Sequence, residues 1–236
     1  MNPIPILSPN PTKVQPVSIR HEPSTLTFSP HAYLELSYCC HQADTEVAAL
    51  AISSARDPLY VERIVLLKQR ASSCYVELDD NAVADHLESC AMRGIPPARC
   101  GRIWVHTHPG SSAEPSSVDE QTFARAFGGC DWSVMFILAR GGQTTARIQF
   151  AAMSGLRVTL PVRIDWPAFP RRVRKILRDA KHWRPRLKSL VEAEPSITRG
   201  MLFGWDQLDE AAWRESMREV EGQGEEMHDT EEVPHE

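Results

Sequence analysis

The sequence predicts an α/β fold, and three observations carry that expectation. Between residues 25 and 150, segments with the period of a strand alternate with capped segments of helical period. Glu46-Val47-Ala48-Ala49-Leu50-Ala51-Ile52 is apolar on both faces after its first residue, as suits a central strand. Trp132–Ala139 and Thr144–Phe150 are apolar runs joined through Gly141-Gly142, a strong hairpin signal.

Six prolines within residues 1–24 (Pro3, Pro5, Pro9, Pro11, Pro16 and Pro23) predict an extended, mobile arm, because proline continues neither helix nor sheet. Ser29-Pro30-His31 then opens a helix, a cap followed by proline in the first turn, with Leu34, Tyr38 and His41 expected on one face. Strands are expected over 61–68 and 73–78. Asp79 caps a second helix with Val83, Leu87 and Ala91 at helical spacing, and Gly94 stands just past its end.

Residues 102–108 read as a strand whose period of two puts Trp104, His106 and His108 on one face and Ile103 and Val105 on the other. Ser117, with Glu120 three residues on, carries a capping-box signature for a helix from about Val118 to Phe127 that stops at Gly128-Gly129. Beyond Pro161 the composition turns basic: Arg171, Arg172, Arg174, Lys175, Arg178, Lys181 and Arg184 surround a stripe of Val173, Ile176, Leu177, Ala180 and Trp183, ended by Pro185. This segment is read as a surface helix docking its apolar stripe on the core, in preference to a nucleic-acid or anionic-membrane contact. Pairing of its cations with the acidic C-terminus or with a partner enzyme is a third possibility. A last amphipathic helix is expected from Asp206, followed by an acidic, disordered tail over 221–236. The expected organisation is thus an arm (1–24), a main α/β domain (25–160), a basic and amphipathic helical extension (161–220) and the tail (221–236).

Composition narrows the class. The chain has 236 residues, 42% of them hydrophobic, and a net charge of −5, so it can bury one sizeable core and has no overall basic signature of nucleic-acid binding. Its six cysteines lack a C-x-x-C pair and read as reduced thiols, mostly small buried hydrophobes. No signal peptide and no membrane-length apolar run is present, so a cytoplasmic location is expected.

The chemistry concentrates in His106-Thr107-His108-Pro109-Gly110-Ser111-Ser112-Ala113-Glu114-Pro115-Ser116-Ser117-Val118-Asp119. Two histidines at i and i+2 on a strand point the same way, and a loop returning into a helix can bring a first-turn carboxylate beside them. Two nitrogens and one oxygen favour zinc, and a three-ligand set leaves a fourth position for water, as in catalytic zinc sites. Ser116 is placed where its hydroxyl could support an oxyanion. Such a site also needs a nearby carboxylate that is not a ligand, to carry the water's proton.

This stretch resembles, position for position, the H-x-H-P-x6-S-x-x-D motif of the JAMM (MPN, or JAB) metalloproteases, and Glu46 matches the upstream glutamate of that family's signature. The resemblance covers about residues 29–155. It implies a curved mixed sheet sandwiched by helices, of the cytidine-deaminase-like kind, with one zinc held by His106, His108 and Asp119. It further implies Glu46 as general acid/base toward a metal-bound water that attacks a carbonyl, and Ser116 as oxyanion support. One departure is Ala49, where family members often have glycine. By size and compact loops the chain is similar to bacterial stand-alone members related to deubiquitinases. The implied activity is that of an isopeptidase or peptidase cutting after the C-terminal tail of a ubiquitin-like protein, for deconjugation or precursor processing. The implied partners are that protein or its conjugates, with activating and conjugating enzymes from the same operon. Two alternatives stand beside it: release of an amino acid or adduct from a small sulfur-carrier protein, and a non-catalytic MPN-type binding module.

Overall fold

The structure is a computed structural model describing residues 24–151 and 156–194. The proline-rich arm, the helix expected from Asp206 and the acidic tail lie outside the described residues.

Seventeen elements follow one another: β1 (Leu26–Phe28), α1 (Pro30–Gln42), β2 (Val47–Ser53), β3 (Tyr60–Leu66), β4 (Gln69–Ala71), β5 (Val76–Leu78), α2 (Asp80–Met92), α3 (Pro97–Cys100), β6 (Ile103–His108), α4 (Ser117–Phe127), β7 (Trp132–Ala139), β8 (Thr144–Phe150), β9 (Leu156–Thr159), β10 (Val162–Ile164), α5 (Phe169–Ala180), α6 (Trp183–Leu190) and β11 (Val191–Ala193). Eight strands form one mixed sheet in the order β10-β1-β3-β2-β6-β7-β8-β9, and β11-β4-β5 form a smaller one. The α/β class expected from the sequence is what the chain adopts.

The sheet is apolar on both faces because a helical layer covers each. On one side Ala32, Leu36, Cys39 and Cys40 of α1 pack with Phe28, Ile103, Val105, Val134 and Phe136. On the other, Phe123 and Phe127 of α4 pack with Ala48, Leu50, Trp104, Met135 and Ile137. β2, buried along its whole length, lies between these layers, and burial of each large side chain there contributes about 1.5–3 kcal/mol. β6 alternates as its period requires, Ile103 and Val105 toward the α1 side and Trp104 toward α4.

Several local expectations are corrected. The buried face of α1 is Ala32, Glu35, Leu36, Cys39 and Cys40, with His41 exposed; Leu34 and Tyr38 are only half-buried. In α2 the buried residues are His86 and Cys90, one step round the helix from Val83, Leu87 and Ala91. The cap of α4 is Ser116 with Asp119 as its box partner; Ser117 is the first helical residue, and Glu120 instead pairs with Arg147 and Arg157. The strand expected over 73–78 starts only at Val76, and its partner β4, at three residues, is too short to show a period in the sequence.

The segment beyond Pro161 is knit into the same body. β10 pairs in parallel with β1, and β11 with β4. The basic stretch forms two helices, since Pro185 sits in the first turn of α6, where its missing N–H costs nothing. Ile176, Trp183 and Leu187 turn inward, and the Trp183 ring packs on His31 and Tyr38 of α1, while Leu177 faces solvent. No helix among the described residues is long and apolar enough to cross a membrane.

Candidate metal centre

Two neighbouring strands set the site. The β2–β6 register places Ala48 opposite His106 and Val47 opposite Thr107, so Glu46, one residue before β2, comes level with His108. Three groups pin this end of β2. The Glu46 N–H donates to the Ser72 carbonyl at 2.7 Å, the Val47 N–H to Thr107 Oγ1 at 3.0 Å, and the Ala48 N–H to Gln69 Oε1 at 2.8 Å. Gln69 in turn donates Nε2–H to the carbonyls of Ala48 and Leu67, taking the place of a strand neighbour.

Asp119 arrives from the first turn of α4. Its N–H donates to Ser116 Oγ at 3.2 Å, and its Oδ2 accepts from both the Ser116 N–H and the Ser116 hydroxyl, each at 2.7 Å. The capping geometry that starts the helix therefore also fixes the carboxylate. Oδ1 lies 3.2 Å from His106 Nε2, and Oδ2 lies 3.5 Å from His108 Nε2.

The two imidazoles are oriented differently. His108 gives its Nδ1–H to the Ser112 carbonyl at 3.0 Å, which leaves the Nε2 lone pair facing the site. His106 is fully buried and stacks on Trp104, with centroids 4.2 Å apart and planes at 25°. The ligating atoms of Glu46, His106, His108 and Asp119 all lie within 4.8 Å of one another.

Electrostatics mark the same four residues. Burial pushes the Glu46 carboxyl up to about 8, the Asp119 charge adds to this, and His108 pulls the other way. Burial lowers His106, against the opposing pull of Asp119. For His108 burial works downward, but Asp119, Glu46 and the Ser112 carbonyl outweigh it and its pKa is raised. Burial would raise Asp119, yet its contacts with His106 and His108 hold it well below the usual carboxylate range. Nε2 of His106, Nε2 of His108 and Oε2 of Glu46 are buried without a hydrogen-bond partner among the described residues. Orphaned lone pairs converging on one point are costly unless something fills the point, and two imidazoles with a carboxylate are a donor set suited to zinc.

All five residues singled out in the sequence thus come together. Those the sequence did not single out act from behind them: Ser112 through its carbonyl, Trp104 through its ring, and Gln69, Ser72 and Thr107 through the backbone around Glu46. Only Trp104 gave a signal, sharing the strand face of His106. No model of a known protein family matches the chain, and no curated protein matches it in sequence.

Proposed function

We propose that this protein is a zinc-dependent isopeptidase or peptidase of JAMM/MPN type, which hydrolyses the amide bond after the C-terminal tail of a ubiquitin-like protein. The observation that carries the proposal is the arrival of Glu46, from a strand distant in sequence, beside His106, His108 and Asp119. His106, His108 and Asp119 would hold the metal. A zinc ion in such a site supplies acidification of water, to a pKa of ~7, and polarisation of a carbonyl.

The chain's own residues do the rest. Glu46 is buried, with one oxygen 3.8 Å from His108 Nε2 and the other unpartnered, so it can take a proton from the attacking water and return it to the leaving amine. A protonated carboxyl near neutral pH suits the second half of that task, and a bound dication would draw its pKa down toward the first. Ser116 holds Asp119 by donating its O–H to Oδ2, and it would support the oxyanion on the substrate by turning that O–H away from Asp119. Ser112 keeps His108 in the tautomer that a ligand needs.

Substrate recognition in this reading uses β5, which among the described residues is an edge strand paired with β4 alone. Between β5 and α4 runs a groove lined by Tyr75, Val76, Val118, Gln121 and Thr122, which reaches the helix carrying Asp119. An extended tail can add to such an edge through its backbone while alternate side chains enter the groove.

The test is cleavage of linear and isopeptide-linked fusions of a ubiquitin-like protein by zinc-loaded wild type and Glu46→Gln. Cleavage by the wild type that collapses in Glu46→Gln is expected. Activity equal in the two proteins would overturn the assignment.

A further inference from the structure

On the far end of the same side of the sheet, α2 and α3 bring together a second set of metal-ligating side chains. His86 and Cys90 are four residues apart on α2 and so share one face, and α3 presents Cys100 to them. Their ligating atoms all lie within 4.8 Å of one another, and all three residues are buried. We propose that His86, Cys90 and Cys100 form a second, sulfur-rich zinc site, structurally distinct from the centre at His106, His108 and Asp119.

Orientation and spacing both support this. His86 Nε2 lies 3.0 Å from the Cys100 carbonyl, so it donates its N–H there and leaves Nδ1 as the atom with a free lone pair. A metal-binding histidine characteristically has its other nitrogen tied to a carbonyl in this way. Cys90 Sγ stands 4.0 Å from Nδ1 and 3.8 Å from Nε2, at the edge of the ring. Sulfur and nitrogen ligands of one tetrahedral zinc are about 3.5 Å apart, from bond lengths of ~2.3 and ~2.0 Å. Nδ1 and the thiol would close by about half an ångström, with the imidazole turning so that Nδ1 faces the sulfur.

The surroundings fit as well. Ile52, Leu87, Ile95 and Val65 form an apolar shell, which strengthens the pull between thiolates and a cation. The Arg93 guanidinium donates to Cys90 Sγ at 3.5 Å. His86 and Arg93 also line a cavity of about 420 Å³ under α6. Binding needs no redox partner: the two thiols each release a proton to solvent, the imidazole binds neutral, and two thiolates balance the dication. The softness of the set selects zinc over magnesium or calcium. A zinc here would clamp α3 to α2, immediately before β6 carries His106 and His108 into the other centre.

Cobalt reconstitution of the full-length protein tests the proposal, because the centre at His106 contains no sulfur. Thiolate-to-cobalt charge-transfer absorption is expected in the wild type, with its loss and the loss of one metal per chain in Cys90→Ala/Cys100→Ala. In Asp119→Asn the absorption should persist unchanged, whether or not that centre binds metal. Zinc-edge X-ray absorption of the wild type requires no variant and should show sulfur at about 2.3 Å. Absence of sulfur ligation in the wild type, or charge-transfer absorption surviving in Cys90→Ala/Cys100→Ala, would overturn it.

Discussion

Glu46 Oε1 lies 3.8 Å from Nε2 of His108, across a strand pair whose register joins residues 62 positions apart in the chain. The separation is too long for a hydrogen bond and leaves the carboxyl beside the ligating atoms of His106, His108 and Asp119. Glu46→Gln keeps the size and the neighbours but removes the proton acceptor. A loss of about 10²–10⁴-fold in kcat is expected, with zinc content unchanged, read from turnover and metal analysis of the same preparation.

Ser116 links folding to the geometry of the candidate centre, since one hydroxyl caps α4 and orients Asp119. Ser116→Ala should destabilise the fold by about 1 kcal/mol and weaken zinc binding by roughly 10–100-fold. Chelator competition and urea denaturation measure the two effects. An intact zinc affinity would show that Asp119 is held by other means.

Glu120 receives both guanidinium nitrogens of Arg147, at 2.6 and 2.8 Å, and a further contact from Arg157 at 3.1 Å. The hydrogen bonds from Arg147 hold its pKa below the usual value, against a smaller upward push from burial. A depressed folded-state pKa means that the stabilisation is complete above the unfolded-state value of ~4.3 and is lost as pH falls through the folded-state value. Glu120→Gln should therefore cost about 1 kcal/mol at neutral pH, a figure reduced for partial exposure. The gap to the wild-type melts should begin to shrink as pH falls below ~4.3 and close once pH passes the depressed folded-state value, and a gap that stays constant with pH would rule out the ion pair as its source.

Gly142 closes the β7–β8 hairpin at φ +84°, with open space where a Cβ would lie. Gly142→Ala should thus cost backbone strain alone, about 1 kcal/mol, seen as a lower Tm without loss of zinc. A drop in zinc content would show that the hairpin supports the centre as well as the sheet.

What could be read from the sequence follows from how local each signal is. His106, His108 and Asp119 are joined by a strand, a short loop and one helical turn, so spacing alone brought them together. The hairpin at Gly141-Gly142 and the cap at Asp79 are equally local. Glu46 has no local signal, and only its resemblance to a family signature picked it out; its place beside His108 depends on the β2–β6 register. The same holds for Gln69, whose side chain substitutes for a strand neighbour, and for the cluster of His86, Cys90 and Cys100, assembled by the packing of α3 on α2. Strands of three or four residues such as β4, β9 and β10 are specified by the partners they pair with. The cap of α4 lies at Ser116, one residue before the Ser117 that the sequence suggests, because both offer the same hydroxyl and only the backbone shows which one turns back.

The most direct test of the metal centre is zinc stoichiometry in the wild type against Asp119→Asn, each dialysed against the same free zinc. The substitution removes the ligand charge while preserving the side chain's shape. The wild type should retain one zinc per chain more than Asp119→Asn, whatever is bound at Cys90 and Cys100. Equal zinc content in the two proteins would contradict a centre built from His106, His108 and Asp119.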